Sequence, residues 1–247
     1  MKAAPEAQLR LLDLQQLDST LGRLAHRRRT LPELAEYEGL ERQSGELRDA
    51  IVAAETEVSD LDREQTKAEK DVDSVRQRAD RDRDRLDSGQ VSSARDLENL
   101  QSEIASLQRR QSDLEEVVLE IMERREVAEA KLTGQRRAQG EQQEKLAEVT
   151  ERRDNALREL DDEAGLSSTA RTAVAKDIPD DLLALYERLR TQVGGVGAAV
   201  LLRGQCQGCH LALNTVDLNR IRNAAPDEVV RCEECRRILV RTAESGL

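Results

Sequence analysis

The chain has 247 residues, with aromatics at 1%, neither Phe nor Trp, and charged side chains at 36%. Aromatic rings dominate most globular cores, so this composition excludes a conventional compact globule and favours long helices meeting along narrow seams. The formal net charge is −11, from 50 acidic against 39 basic side chains, which excludes a general attraction to nucleic acid or anionic membrane and leaves only local basic patches for such contacts.

The start of the chain, Met1 to Glu6, lacks the apolar stretch of a signal peptide, and no run approaches the length of a membrane helix. The expected location is therefore the cytoplasm. In that reducing compartment four cysteines in two pairs read as metal ligands before disulfides.

From the N-terminus, Leu14, Leu17, Leu21, Leu24 and Leu31 follow a three-four spacing that predicts a helix. Thr30-Leu31-Pro32-Glu33 reads as a fresh N-cap with Glu33 three residues on. Pro32 has no backbone N–H to donate, so a break is expected near 30–33.

An unbroken heptad seam then runs from Leu40 through Ser44, Leu47, Ile51, Ala54, Val58, Leu61, Gln65, Ala68, Val72, Val75, Ala79 and Asp82 to Leu86. Asp87 to Ser92 is a turn, and Ser93 with Asp96 forms a capping pair for the next helix. The second seam starts at Leu97 and Leu100 and continues through Ile104, Leu107, Leu114, Val118, Ile121, Ala128, Leu132, Leu146, Val149 and Ala156 to Leu160. A short turn between two seams predicts an antiparallel hairpin in which Leu86 faces Leu97 and partner residue numbers sum to about 183. The second helix outruns the first, and the N-terminal helix is the expected partner of its overhang.

In that register Gly39, Ser44 and Gly45 lie opposite Gly134, Gln135, Gln139 and Gly140. Each Gly costs a helix about 1 kcal/mol relative to Ala, so a bend or soft point is expected at this level. Gly165 to Arg171 is small and polar and reads as a connector. Ile178-Pro179-Asp180-Asp181 opens a further helix, with Pro and acids favoured in its first turn, which stops at Gly194-Gly195. Val196 to Leu202 is the first strand-like segment. The predicted fold is thus mainly α: an antiparallel coiled-coil hairpin over 1–165 with its tip near 87–95, a connector and short helix over 166–193, and a small β-rich zinc ribbon over 194–247.

The chemistry concentrates in Cys206-Gln207-Gly208-Cys209 and, 22 residues on, Cys232-Glu233-Glu234-Cys235. Two such knuckles facing each other supply four thiolates to one tetrahedral Zn²⁺. Strand-forming residues flank both, namely Val200 to Leu202, Val229-Val230 and Ile238 to Val240, and Thr215 to Ile221 reads as a short helix between them. Cys206 to His210 is formally a c-type haem attachment pattern, but no export signal accompanies it and the second knuckle would go unexplained. A thioredoxin-like pair lacks its βαβ surroundings, and four cysteines could also hold iron. His210 is read as a bystander. A Cys₄ shell leaves no open coordination position, so the metal is expected to be structural, stabilising a small core. No catalytic set is visible elsewhere, and the expectation is a protein that is not an enzyme.

Arg95 to Ile104, Tyr186 to Arg190, Gly204 to Cys209 and Cys232 to Leu239 together resemble the bacterial C4-type zinc-ribbon proteins with an N-terminal coiled coil. The family typically has Gly where Arg236 stands. The resemblance implies an elongated hairpin with the ribbon at its base. It also implies an adaptor role, which in some members is regulation of flagellar or secretion genes through an alternative sigma factor or mRNA.

Two partner classes follow. As an adaptor the chain would bind protein, with the tip arginines Arg76, Arg78, Arg81, Arg83 and Arg85 as one contact surface, interleaved with Asp80, Asp82 and Asp84. As a nucleic-acid binder it would use Arg231, Arg236, Arg237 and Arg241 around the second knuckle. Against the second, the ribbon lacks base-stacking aromatics. No small-molecule substrate and no membrane partner are expected.

Overall fold

Five helices and four short strands make up the computed structural model, which describes residues 1–247. In chain order they are α1 (Pro5–Arg29), α2 (Pro32–Asp87), α3 (Ala94–Lys176), α4 (Asp180–Gln192), β1 (Ala198–Leu202), β2 (Gln205–Cys206), α5 (Thr215–Asn223), β3 (Val230–Arg231) and β4 (Ile238–Val240). Two compact units form: Glu36–Val149, and Met1–Ala35 together with Thr150–Leu247.

In the first unit α2 and α3 pair as the expected antiparallel coiled-coil hairpin. Ser44, Ile51, Ala54, Leu61, Ala68 and Ala79 are buried on α2, all of them seam positions, against Leu100, Ile104, Ile121, Ala128, Leu132 and Val149 of α3. Ion pairs stitch the flanks: Lys131 to Glu57 at 3.1 Å, Arg136 to Glu55 at 2.7 Å, and Arg78 to Glu103 nearer the turn. Their residue numbers run in opposite senses and stay within about two helical turns of the expected register. Gly89, at φ 68, makes the turn, and Ser93 stands just before α3 with its carbonyl accepting from the amides of Asp96 and Leu97.

The glycine level is helical throughout on both α2 and α3. A Cβ at Gly39, Gly45, Gly134 or Gly140 would meet nothing within 4 Å, so no close packing requires these glycines, and each carries the helix cost of its missing side chain. The polar seam is bridged by Gln142, whose Nε2 donates to the Leu40 carbonyl at 3.3 Å and to Gln43 Oε1 at 3.0 Å.

In the second unit α1 pairs with the distal part of α3, as the leucine spacing predicts. Leu24, Leu31 and Leu160 form one buried cluster with Ala156, Leu157 and Ala164 around it, and Arg28 bridges to Asp161 at 2.7 Å. The break at Pro32 is present, but Thr30 serves the other side of it. Its hydroxyl donates to the His26 carbonyl at 3.1 Å and so closes α1 instead of capping α2.

The connector expected at Gly165 to Arg171 is instead part of α3, which runs on to Lys176. The Thr169 and Thr172 hydroxyls donate to the carbonyls of Gly165 and Ser168, each four residues back, which satisfies these small polar side chains inside a helix. Val174 and Ala175 then pack against a buried core, and that tertiary contact holds a segment whose local propensity is weak.

The sheet has strand order β2-β1-β4-β3, with β1 parallel to β4 and the other two pairings antiparallel. One side of it shares a core with helices: Leu11 and Leu14 of α1, Leu182, Tyr186 and Leu189 of α4, Ala198, Ile238 and Val240 are buried together. The opposite side holds Ala199, Leu201, Leu239, Ile221 of α5 and two cysteines. The segment before α1 pairs alongside as well. The Ala3 amide donates to the Asp227 carbonyl at 2.8 Å, and the Val229 amide to the Met1 carbonyl at 3.1 Å. The ribbon is therefore built into a larger unit, with the N-terminal helix supplying part of its core.

Candidate metal centre

Each knuckle is a tight backbone turn. The His210 amide donates to the Cys206 carbonyl at 2.8 Å, and the Arg236 amide to the Cys232 carbonyl at 2.8 Å. Both residues take a left-handed conformation, His210 at φ 58 and Arg236 at φ 62. This conformation costs a residue with a Cβ about 1 kcal/mol. Strand β2 leads into the first knuckle. The second sits between β3 and β4, with the Cys232 amide donating to the Arg237 carbonyl at 3.0 Å.

The four sulfurs converge. Cys206 Sγ lies 3.8 Å from Cys235 Sγ, Cys209 Sγ lies 3.9 Å from Cys232 Sγ, and all four atoms are within 4.8 Å of one another. A tetrahedral zinc with bonds of about 2.3 Å requires sulfurs about 3.8 Å apart, so the donor set fits one zinc ion. The Gly208 amide points at Cys206 Sγ from 3.4 Å. Gly208 itself is packed tightly, since a Cβ there would meet Arg237 Cδ at 2.5 Å and Ala199 Cβ at 3.0 Å.

The pocket's own polar groups treat its thiols unequally. Burial pushes the Cys206 thiol up and the Cys232 thiol up to about 12. Burial also opposes ionisation at Cys235, but hydrogen bonds from Arg237 and the neighbouring thiols bring it down to about 7. A divalent cation overrides this inequality, because coordinated thiols deprotonate and binding releases their protons. The His210 side chain is exposed and outside the sulfur cluster.

Beside the sheet lies a polar cluster that no local sequence pattern marks. Asp18 of α1 is buried to 0% side-chain exposure and is an acceptor for three partners. Arg171 Nε donates to it at 2.7 Å, Arg190 Nη1 at 2.6 Å and the Tyr186 hydroxyl at 2.7 Å. Glu187 closes the set by pairing with both arginines. Its hydrogen bond to Asp18 holds Arg171 more firmly charged, whereas burial first, then the Asp18 contact, pushes the Tyr186 phenol well above its usual range. Gln15, one turn before Asp18, accepts at Oε1 from the Gly197 amide at 2.8 Å and donates from Nε2 to the Gly195 carbonyl at 3.1 Å. These bonds tie α1, α3 and α4 to the first strand of the ribbon. Tyr186 to Arg190 belongs to the stretch that carries the family resemblance, which is the one signal that marked it.

The four ribbon arginines divide into two kinds. Arg241 donates to the carbonyls of Ile221, Ala224, Ala225, Pro226 and Glu228 at 2.7 to 3.4 Å, fastening the end of α5. Arg237 donates to the carbonyls of Val196 and Val193 at 3.0 and 2.9 Å. Arg231 donates Nε to the Arg236 carbonyl at 3.0 Å, and Arg236 is exposed. The tip arginines are not gathered into one patch. Arg78, Arg81 and Arg85 fall on one side of α2 by helical spacing, Arg76 and Arg83 on the other. Arg83 pairs with Asp80 at 2.9 Å on its own helix.

The model of the CT398-like coiled coil hairpin domain matches residues 14–194, and that of the C4-type zinc ribbon domain matches residues 205–239. The uncharacterized protein Rv2229c of Mycobacterium tuberculosis is 39% identical over 241 residues, spanning 98% of both chains. A solved structure from Mycobacterium smegmatis is similar with a TM-score of 0.86 and 41% identity, covering 98% of this chain and all of that one. CT398 from Chlamydia trachomatis has the same fold, with a TM-score of 0.74 at 20% identity over 96% of this chain and 98% of its own.

Proposed function

Since the chain belongs to the family of CT398-like coiled-coil hairpin proteins ending in a C4-type zinc ribbon, we propose that it is a non-enzymatic adaptor that binds other proteins. The observation that carries this reading is the closed sulfur shell. Four cysteines satisfy the metal and leave no coordination position for water or substrate, so the zinc supports structure and not reaction chemistry. The charged flanks of the hairpin and the surface of the ribbon unit are then what the molecule offers to a partner, in a role such as the regulation of gene expression. No helix is long and apolar enough to cross a membrane, and on this reading the protein works in the cytoplasm.

Nucleic-acid binding through the ribbon is the alternative. It has less to draw on, because Arg237 and Arg241 already spend their guanidinium groups on backbone carbonyls. Phosphate contacts would fall to Arg231 and Arg236.

The two readings separate in one experiment on the intact chain. Affinity capture from nuclease-treated extract should retain a protein partner in stoichiometric amount. Titration with single- and double-stranded RNA and DNA should show no saturable, salt-sensitive binding. Binding that weakens steeply with salt and is lost in an Arg231→Ala/Arg236→Ala variant would replace the adaptor reading with the nucleic-acid one.

A further inference from the structure

Ion pairs that cross the hairpin flank both ends of a stretch that has none. Toward the turn Arg78 pairs with Glu103. Farther along, Arg124 pairs with Glu64 at 3.6 Å and Arg125 with Asp62 at 3.4 Å. Between these levels Glu69, Asp73 and Glu115 form no ion pair. Gln65 Nε2 donates to Glu69 Oε1 at 2.7 Å and Gln111 Nε2 to Glu115 Oε1 at 2.8 Å, so two of the three carboxylates are held by amides and keep their charge uncompensated. No ion pair joins Arg76, one turn beyond Asp73, to any of them.

These acids rim a trench of about 460 Å³ that α2 and α3 form between them, with Val72, Val118 and Leu119 as its apolar lining and no cation among its lining residues. Leu119 is 59% exposed, and Met122, one turn on along α3, is 43% exposed. Single exposed apolar side chains are ordinary on any surface. Here, however, two large ones adjoin half-buried valines at the level where cross-hairpin charge compensation lapses. A short apolar strip between unneutralised carboxylates repels an acidic helix. It offers a cationic one both a place to bury its apolar face and counter-charges for its flanks.

We infer that this trench is a docking groove for a basic amphipathic helix of a partner protein. Apolar anchors spaced three and four residues apart seat against Val72, Val118, Leu119 and Met122, while Lys or Arg on either side face Glu69, Asp73 and Glu115. The inference rests on the adaptor reading and gives it an address and a partner chemistry.

The test uses the full chain and a fluorescein-labelled helical peptide with Leu at the anchor positions and Lys on its flanks, followed by fluorescence anisotropy. Saturable one-to-one binding is expected. It should weaken at least tenfold in L119S and at least tenfold in the triple variant E69K/D73K/E115K. Reversal of three remote acids, D49K/E144K/E148K, should leave it within about twofold. Circular dichroism confirms that every variant keeps its helix content. A photoreactive benzoylphenylalanine should capture the peptide when placed at Met122, and should fail to do so at Val127 on the other flank of α3. Absence of saturable binding, or equal loss in the remote variant, overturns the groove. If affinity capture still retains a protein in that event, the adaptor reading stands and only this address is wrong.

Discussion

Tyr186 donates its hydroxyl hydrogen to the Asp18 carboxylate across 2.7 Å, and neither side chain reaches solvent. The two residues are 168 apart in sequence. They join α1 to α4 at the point where Gln15 holds the start of β1, so the polar cluster and the ribbon share one foundation. Hydrogen bonds to a charged group contribute about 1.5–3 kcal/mol, and Tyr186→Phe should lower stability by that amount. Asp18→Ala removes the buried anion between two arginines and leaves only the half-buried Glu187 to pair with both. Losing one partner of a buried pair costs about 3–5 kcal/mol, and the partial exposure of Arg171 and Arg190 places this variant near the lower end. Denaturant unfolding of both variants checks the order.

The same contact gives a dependence on alkaline pH. Burial raises the Tyr186 phenol above its ordinary value, so the folded chain keeps a proton that the unfolded chain loses above about pH 10. Above that pH the folded state binds more protons than the unfolded state, so stability must fall as pH rises. In Y186F the decline above pH 10 should be shallower than in the parent protein. Melting temperatures collected from pH 8 to 11 would reveal an unchanged slope if the idea is wrong.

Removing the metal should act on one unit and spare the other. Structural zinc in small sites contributes on the order of 10 kcal/mol at neutral pH. Elemental analysis should find one zinc per chain. Stripping it with a chelator, or the substitution Cys232→Ser, should unfold the ribbon at moderate temperature while most helix signal persists. That persistent helix belongs to the seams of the Glu36–Val149 unit, which contain no cysteine. Simultaneous loss of all helix on chelation would contradict this division.

The arginines around the second knuckle should respond in opposite directions. Arg236 sits at φ 62, where a Cβ is a liability, so Arg236→Gly should stabilise the protein by about 1 kcal/mol. Arg241 reaches five carbonyls. Arg241→Ala leaves the Ile221, Ala224 and Glu228 carbonyls without a donor, at about 1–3 kcal/mol for each that water cannot reach, whereas Ala225 and Pro226 keep bonds from the Glu228 amide and Gln8 Nε2. Arg241→Lys should rescue little, since an ammonium lacks the planar fork. Thermal shift assays on the three variants suffice. One practical outcome is that Arg241→Ala is a poor probe of nucleic-acid contact, because any lost binding would be confounded with lost stability.

The hairpin and the zinc ligands were legible in the sequence because both are encoded locally. A seam repeats every three or four residues, and Ile51, Ala54, Leu61 and Ala68 are buried where that repeat puts them. The two knuckles carry a fixed spacing that only a tetrahedral site explains well. Asp18 has no such mark. It is an acid in a helical run, and its meaning depends on Arg171, Tyr186 and Arg190 arriving from more than 150 residues away. The segment from Gly165 to Arg171 misled for the converse reason. Its small polar residues suggest a loop by composition, whereas α3 is held there by core packing around Val174 and Ala175 that no local window contains. Gly39, Gly45, Gly134 and Gly140 likewise carry a helix penalty that positions free of close packing tolerate.

Gln15 and Gly197 meet although 182 residues separate them. A ribosome adds about 5–20 residues per second, so α1 waits on the order of 10–40 s for the strand it supports. Throughout that wait Leu11 and Leu14 have no core to enter, while the heptad pairing of α2 with α3 can already close behind them. Synthesis therefore leaves a sticky amphipathic helix on every nascent copy until α4 and the strands that cover it have emerged.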